Sequence, residues 1–284
     1  MSEDHASRQA VLEQIAAALE RLAPRAAGAV DWRTQPAYVW DGVNARELAE
    51  IVAPPLDNLR GIDRQKETVL ENLARLAWGY AAHDMLLWGA RGMGKSALLR
   101  AATKAVQDKA PMALGLVQVA PDALNSLPSL FDQLSGVKRQ FVIFIDDLGF
   151  AEEDTVGPRR LRSWLEGGVE ARPANARLAV TSNRRAILAR QANEQESGSD
   201  ESPLNRRDAV DDKLALADRF GISIGFHPCG KNQYLEIVAA YAEPRGLEYS
   251  EDEALEWAMQ RGQRSGRSAW QFVVELAGRA EQPI

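Results

Sequence analysis

Gly89-Ala90-Arg91-Gly92-Met93-Gly94-Lys95-Ser96 has the spacing G-x-x-x-x-G-K-S, and its chemistry is phosphate binding. Glycines at 89, 92 and 94 permit backbone angles and close approaches that a side chain would block. The loop's N–H groups can then surround the β- and γ-phosphates of a nucleotide, and the following helix, opening near Ala97, adds its positive end. Lys95 supplies a point charge to those phosphates, and the Ser96 hydroxyl a ligand for Mg²⁺. The competing reading is a glycine-rich turn that binds nothing. The apolar run Met85–Trp88 before the loop and the helical pattern after it argue against that.

A second constellation is Phe144-Ile145-Asp146-Asp147. An acidic pair ending an apolar strand beside a phosphate loop holds the metal through its first carboxylate, Asp146. Asp147 is then placed to orient or deprotonate an attacking water. Asn183 closes another apolar run, Leu178–Ser182, where a neutral amide can hold that water; the plainer reading is a polar turn residue. Arg184 and Arg185 follow, and a solvated or salt-bridged role is preferred to phosphate binding. His227-Pro228-Cys229 has too few ligands for a metal and reads as a packed strand end.

These groups need a scaffold that brings strand ends together. Strands are expected at Met85–Trp88, Ala113–Val119, Phe141–Asp147, Leu178–Asn183 and Ile222–Phe226. The unbroken apolar character of Phe141–Ile145 suits a strand covered on both faces of a parallel sheet. Helices are expected over 7–23, from an Asp63 N-cap to Ala81, after the loop, from Pro121 to Leu134, over 159–166, and near 231–243, 251–261 and 267–280. Asp31–Asp41 reads as extended, with Trp32, Tyr38 and Trp40 packing on the main domain. The stretch that Ala53-Pro54-Pro55 stops reads as helical, and 191–213 as an acidic loop. Strands interleaved with helices and then helices alone predict an α/β domain over 53–229 and an all-α domain over 230–284, after an N-terminal segment of 1–52.

The chain has 284 residues, 45% hydrophobic and 26% charged, with a net charge of −6. That balance suits a globular core and argues against non-specific nucleic-acid binding. A single cysteine, Cys229, excludes a disulfide framework. Without a leader or a long apolar run, a cytoplasmic setting is expected, with no membrane partner.

The order of parts resembles the AAA+ ATPases, and LLWGARGMGKSALL, FIDDLGFAEED, LEGGVEARPANARLAVTSNRR, LADRFGISIGFHP and GQRSGRSAWQFV resemble an uncharacterised bacterial family of them. The resemblance implies a three-layer α/β/α parallel sheet followed by a helical lid, with ATP and Mg²⁺ as cofactors. It implies that Gly61 and Ile62 line an adenine pocket and that Asn183 is the sensor-1 residue. It further implies that Arg219 is an arginine finger reaching a neighbouring subunit, and that Arg267, with Arg264 as alternate, is the sensor-2 arginine. The nucleotide would then touch Gly89 through Ala97, with Ser96 and Asp146 on the metal and Lys95, Asp147, Asn183 and Arg219 in catalysis. The implied activity is ATP hydrolysis in a homo-oligomer that remodels or switches a protein partner. The alternatives are a nucleotide-dependent scaffold and, less favoured, a nucleic-acid loader. One departure stands out. The pattern's acidic pair is Asp-Glu, whereas Asp147 is one methylene shorter, and a misplacement of about 1 Å can slow chemistry roughly 100-fold.

Overall fold

The computed structural model describes residues 30–149, 161–165, 172–183 and 219–284. The expected helix over 7–23, the acidic loop 191–213, and Arg184 and Arg185 lie outside them. The chain divides between Asp31 and Trp32, and the unit from Trp32 to Ile284 is compact.

Seven strands form one sheet: β1 Ala37–Trp40, β2 Ala45–Leu48, β3 Met85–Gly89, β4 Leu114–Val119, β5 Gln140–Ile145, β6 Ala176–Ser182 and β7 Ile222–Phe226. Their order is β2-β1-β4-β5-β6-β3-β7. All neighbours are parallel except the β1–β2 hairpin. The order does the functional work. The phosphate-loop strand β3 is flanked by β6 and β7, and β6 is wedged between β3 and the acidic strand β5. The ends of β3, β5 and β6 therefore open on one edge, where ligands of open parallel sheets bind.

Phe141 to Ile145 are each at most 1% exposed, as expected for a strand covered on both faces. Successive side chains alternate between faces. Val142 and Phe144 join Leu87 and Ala179 in a core shared with helix α1, Asp63–Ala77, and helix α2, Lys95–Lys109. Phe141, Ile143 and Ile145 point the other way. Helix α3, Leu127–Ser135, buries Leu127, Leu130, Phe131 and Leu134. Residues 161–165 are helical.

Three expectations need correction. The stretch before Ala53-Pro54-Pro55 is not helical: it holds β2, paired to β1 across a turn in which the Asp41 carboxylate accepts from the N–H of Val43 and Asn44. Pro121–Ser126 is a 3-10 turn, and the α-helix begins only at Leu127, where Pro128 fits the first turn. Asp63 is the first residue of its helix rather than the cap, which is Ile62, and the helix ends at Ala77, before Gly79 at φ +72°. Trp32, Tyr38 and Trp40 are buried; Trp40 Nε1 donates to Ser126 Oγ at 2.7 Å.

The C-terminal helices are α4 Lys231–Ala242, α5 Glu251–Gln260 and α6 Gly266–Arg279. They share a core of Tyr234, Val238, Ala254, Ala258, Phe272 and Val273. Ser265 and Ser268 form a reciprocal capping box that fixes where α6 begins. Among the described residues, no helix is long and apolar enough to cross a membrane.

Candidate nucleotide site

The loop after β3 uses its glycines for geometry. Gly89, Gly92 and Gly94 have φ of +120°, +76° and +91°. A Cβ on Gly89 would lie 2.1 Å from the Phe226 carbonyl oxygen of β7, a backbone atom with nowhere to go. Gly89→Ala is therefore expected to cost about 3 kcal/mol or more of stability in urea unfolding.

Lys95 opens α2 and is 5% exposed. Its ammonium donates to Gly89 O at 3.0 Å, Ala90 O at 2.8 Å and Asn183 Oδ1 at 2.9 Å. Burial pushes its pKa below the usual lysine value; the Asp147 and Asp146 carboxylates partly oppose that, and Arg267 adds to it.

Across the cleft, Asp146 Oδ1 accepts from Ser96 Oγ at 2.5 Å and from Thr181 Oγ1 at 2.6 Å. Asp147 has φ +53°. Its N–H donates to Thr181 Oγ1 at 2.8 Å, and its carboxylate accepts from the Asn183 amide. Asn183 thus bridges Lys95 and Asp147, which is what the insertion of β6 between β3 and β5 makes feasible. A serine hydroxyl beside one carboxylate suits Mg²⁺, which takes few protein oxygens and keeps several waters. Among the described residues, no cluster of three or more His, Cys, Asp or Glu could hold a metal, His227 and Cys229 included.

These groups line a cavity of about 380 Å³. Its apolar lining is Leu59, Ile62, Met93, Ile237, Tyr241 and Trp270. Its polar lining includes Lys95, Ser96, Asp146, Asp147, Thr181 and Asn183. Among the described residues, Arg60, Arg91, Lys95, Arg100 and Arg267 line it with only two carboxylates, Asp146 and Asp147. That excess of positive charge calls for a polyanion. The lid closes the cavity directly on the loop: Arg267 N donates to Gly92 O at 3.2 Å.

Of the residues the sequence singled out, Ile62, Arg91 through Ala97, Asp146, Asp147, Asn183 and Arg267 line the cavity. Gly89 and Ala90 hold Lys95 from behind. Gly61 sits outside the wall, its carbonyl accepting from Gln233 at 3.2 Å. Arg219 is exposed and precedes β7, whose far end, Phe226, pairs with Gly89. At about 3.3 Å per strand residue, Ile222, the first residue of β7, is about 13 Å along the strand from Phe226. Arg264 does not line the cavity. Sequence reasoning missed Asn58, Leu59, Arg60, Arg100, Thr181, Ile237, Tyr241 and Trp270. Ile237 and Tyr241, four apart on α4, are indistinguishable by pattern from an ordinary packing stripe.

The DNA-bound ORC1 protein of Aeropyrum pernix is similar in structure, with TM-score 0.54 and 17% identity over 81% of this chain and 62% of that one. A proline-to-glycine mutant of Thermotoga maritima RuvB gives 0.53 and 17% over 81% and 69%. The T. maritima RuvB Holliday junction branch migration motor gives 0.49 and 18% over 80% of this chain, which spans just 66% of that motor's length. No curated protein matches the sequence. At such identities the likeness is one of fold, and with the sheet order it is the AAA+ P-loop ATPase fold that the sequence motifs resemble. The family described as protein of unknown function (DUF815) matches residues 27–280, nearly the whole sequence, and the chain belongs to that family.

Proposed function

We propose that this chain binds Mg·ATP in the cavity and hydrolyses it at an interface between copies, using the nucleotide state to move the lid and switch or remodel a protein partner. The observation that carries the reading is the charge balance: among the described residues, five cationic side chains and two carboxylates line one cavity together with apolar side chains. The base would pack on the apolar lining, Ile62 and the lid residues Ile237, Tyr241 and Trp270. Lys95 and the N–H groups of the loop hold the β- and γ-phosphates. Ser96 and Asp146 would hold Mg²⁺, which neutralises charge on the phosphate oxygens. Asp147 takes the proton of the attacking water, and the Asn183 amide, oriented by Lys95 and Asp147, positions that water. Arg267 carries the lid's response to the γ-phosphate, and Arg219 is supplied by the neighbouring copy.

The test is phosphate release from Mg·ATP by wild type and Asp147→Asn, with ATP affinity measured on both. The variant is expected to keep ATP affinity within a few-fold and lose about 10²–10⁴ in turnover. No phosphate release by wild type above the uncatalysed rate would overturn the hydrolase reading. It would leave the second reading, a nucleotide-dependent scaffold. That reading is favoured by the Asp147 carboxylate, which is short and already bonded to Asn183.

A further inference from the structure

Thr181 is a buried residue, 1% exposed, that nevertheless lines the cavity. A threonine hydroxyl has one proton to give and lone pairs to receive with. Here the proton goes to Asp146 Oδ1 at 2.6 Å, and a lone pair accepts the Asp147 N–H at 2.8 Å. Its backbone carbonyl also accepts the next N–H, that of Leu148, at 2.8 Å. One residue of β6 therefore anchors both acidic residues at the end of β5.

The consequence for Asp146 is directional. Ser96 and Thr181 both donate to the same oxygen, Oδ1, so two hydroxyls from different elements fix the rotation of the carboxylate. Among the described residues nothing donates to Oδ2. The consequence for Asp147 concerns the backbone. Its left-handed turn is held by the Thr181 hydroxyl on one side and the Thr181 carbonyl on the other, so the direction of its side chain depends on the same residue.

We propose that Thr181 is a positioning residue for the metal and the water in this site: its hydroxyl sets the Asp146 carboxylate for a divalent cation and the Asp147 backbone for the hydrolytic step, without touching the nucleotide. The inference rests on the Mg·ATP reading above. Valine is the matched probe, since it keeps the shape and the backbone carbonyl while removing the hydroxyl. Serine restores the hydroxyl and removes only a methyl.

The experiment compares wild type, Thr181→Val and Thr181→Ser in three measurements. These are metal-free ATP affinity, Mn²⁺ titration of the ADP-bound protein by electron paramagnetic resonance, and phosphate release with Mg²⁺. Thr181→Val is expected to hold ATP within about twofold while weakening Mn²⁺ and lowering kcat by about 10–100-fold, the usual effect of removing a group that orients a metal ligand. Thr181→Ser is expected to recover most of both. A valine variant with wild-type Mn²⁺ affinity and kcat would overturn the proposal. Equal losses in valine and serine variants, tracking their thermal stability, would also overturn it, since packing alone would then explain them. If wild type itself releases no phosphate, the hydrolase reading falls and the Mn²⁺ titration alone decides for or against Thr181.

Discussion

Lys95→Ala is expected to abolish phosphate release and to weaken ATP binding by about 100-fold or more, the scale for truncating one partner of a buried, hydrogen-bonded charge pair. The lysine is nearly enclosed, with its three hydrogen bonds spent on Gly89, Ala90 and Asn183. None of these acceptors carries a full charge, and burial alone disfavours the ammonium, as its lowered pKa records. Because the folded-state pKa is depressed, the unfolded chain binds the proton more tightly. This residue therefore opposes folding at neutral pH, and the opposition is relieved only as pH rises through the lowered value toward 10.5. A cation held at such a disadvantage awaits an anion. The variant should accordingly melt within about 4 °C of wild type while losing its ligand. Isothermal titration with ATP and a thermal scan check both halves. Near-wild-type ATP affinity would remove the phosphates from this cavity.

The second large effect concerns Arg219. If it acts across an interface, Arg219→Ala should lower kcat by about 10³ or more with ATP affinity unchanged. Wild-type activity per chain should rise with protein concentration. Mixing the two inactive variants gives the decisive outcome. Lys95→Ala retains the arginine and Arg219→Ala retains the phosphate loop, so mixed assemblies contain interfaces at which an intact loop meets an intact arginine. Phosphate release should reappear on mixing. No recovery, together with concentration-independent wild-type turnover, would confine the reaction to a single chain. The position of Arg219, before β7 and at the opposite end of that strand from Gly89, is what motivates the experiment.

Strands β3, β4, β5, β6 and β7 and the three C-terminal helices were legible because each carries its own signal: an apolar run or a helical period. Of the β1–β2 hairpin only the extended character of Asp31–Asp41 was. Its strands are four residues each, and the partner that makes β1 a strand, β4, lies more than seventy positions downstream at Leu116–Val119. Nothing local in Ala45–Leu48 distinguishes an edge strand from a short helix. The cavity divides the same way. Loop and acidic pair are contiguous in sequence and announce themselves. Tyr241 and Trp270 join the wall only because α4 and α6 fold back over it, their rings 5.0 Å apart. Thr181 looks like any polar residue near a strand end, and its hydroxyl acquires meaning only once β6 is inserted between β3 and β5.

The left-handed backbone at Asp147 bears on why this position holds the shorter acid. Among residues with a side chain, asparagine and aspartate tolerate φ near +53° best, because a short polar group can bond locally and has little bulk near the backbone. A longer acid would reach farther toward the cleft but would sit less comfortably in that turn. Reach and backbone ease pull in opposite directions here, and the chain has settled on ease. Aspartate at this position is thus better regarded as a residue matched to its turn than as a glutamate gone missing, and lengthening it would disturb the turn before it improved the chemistry.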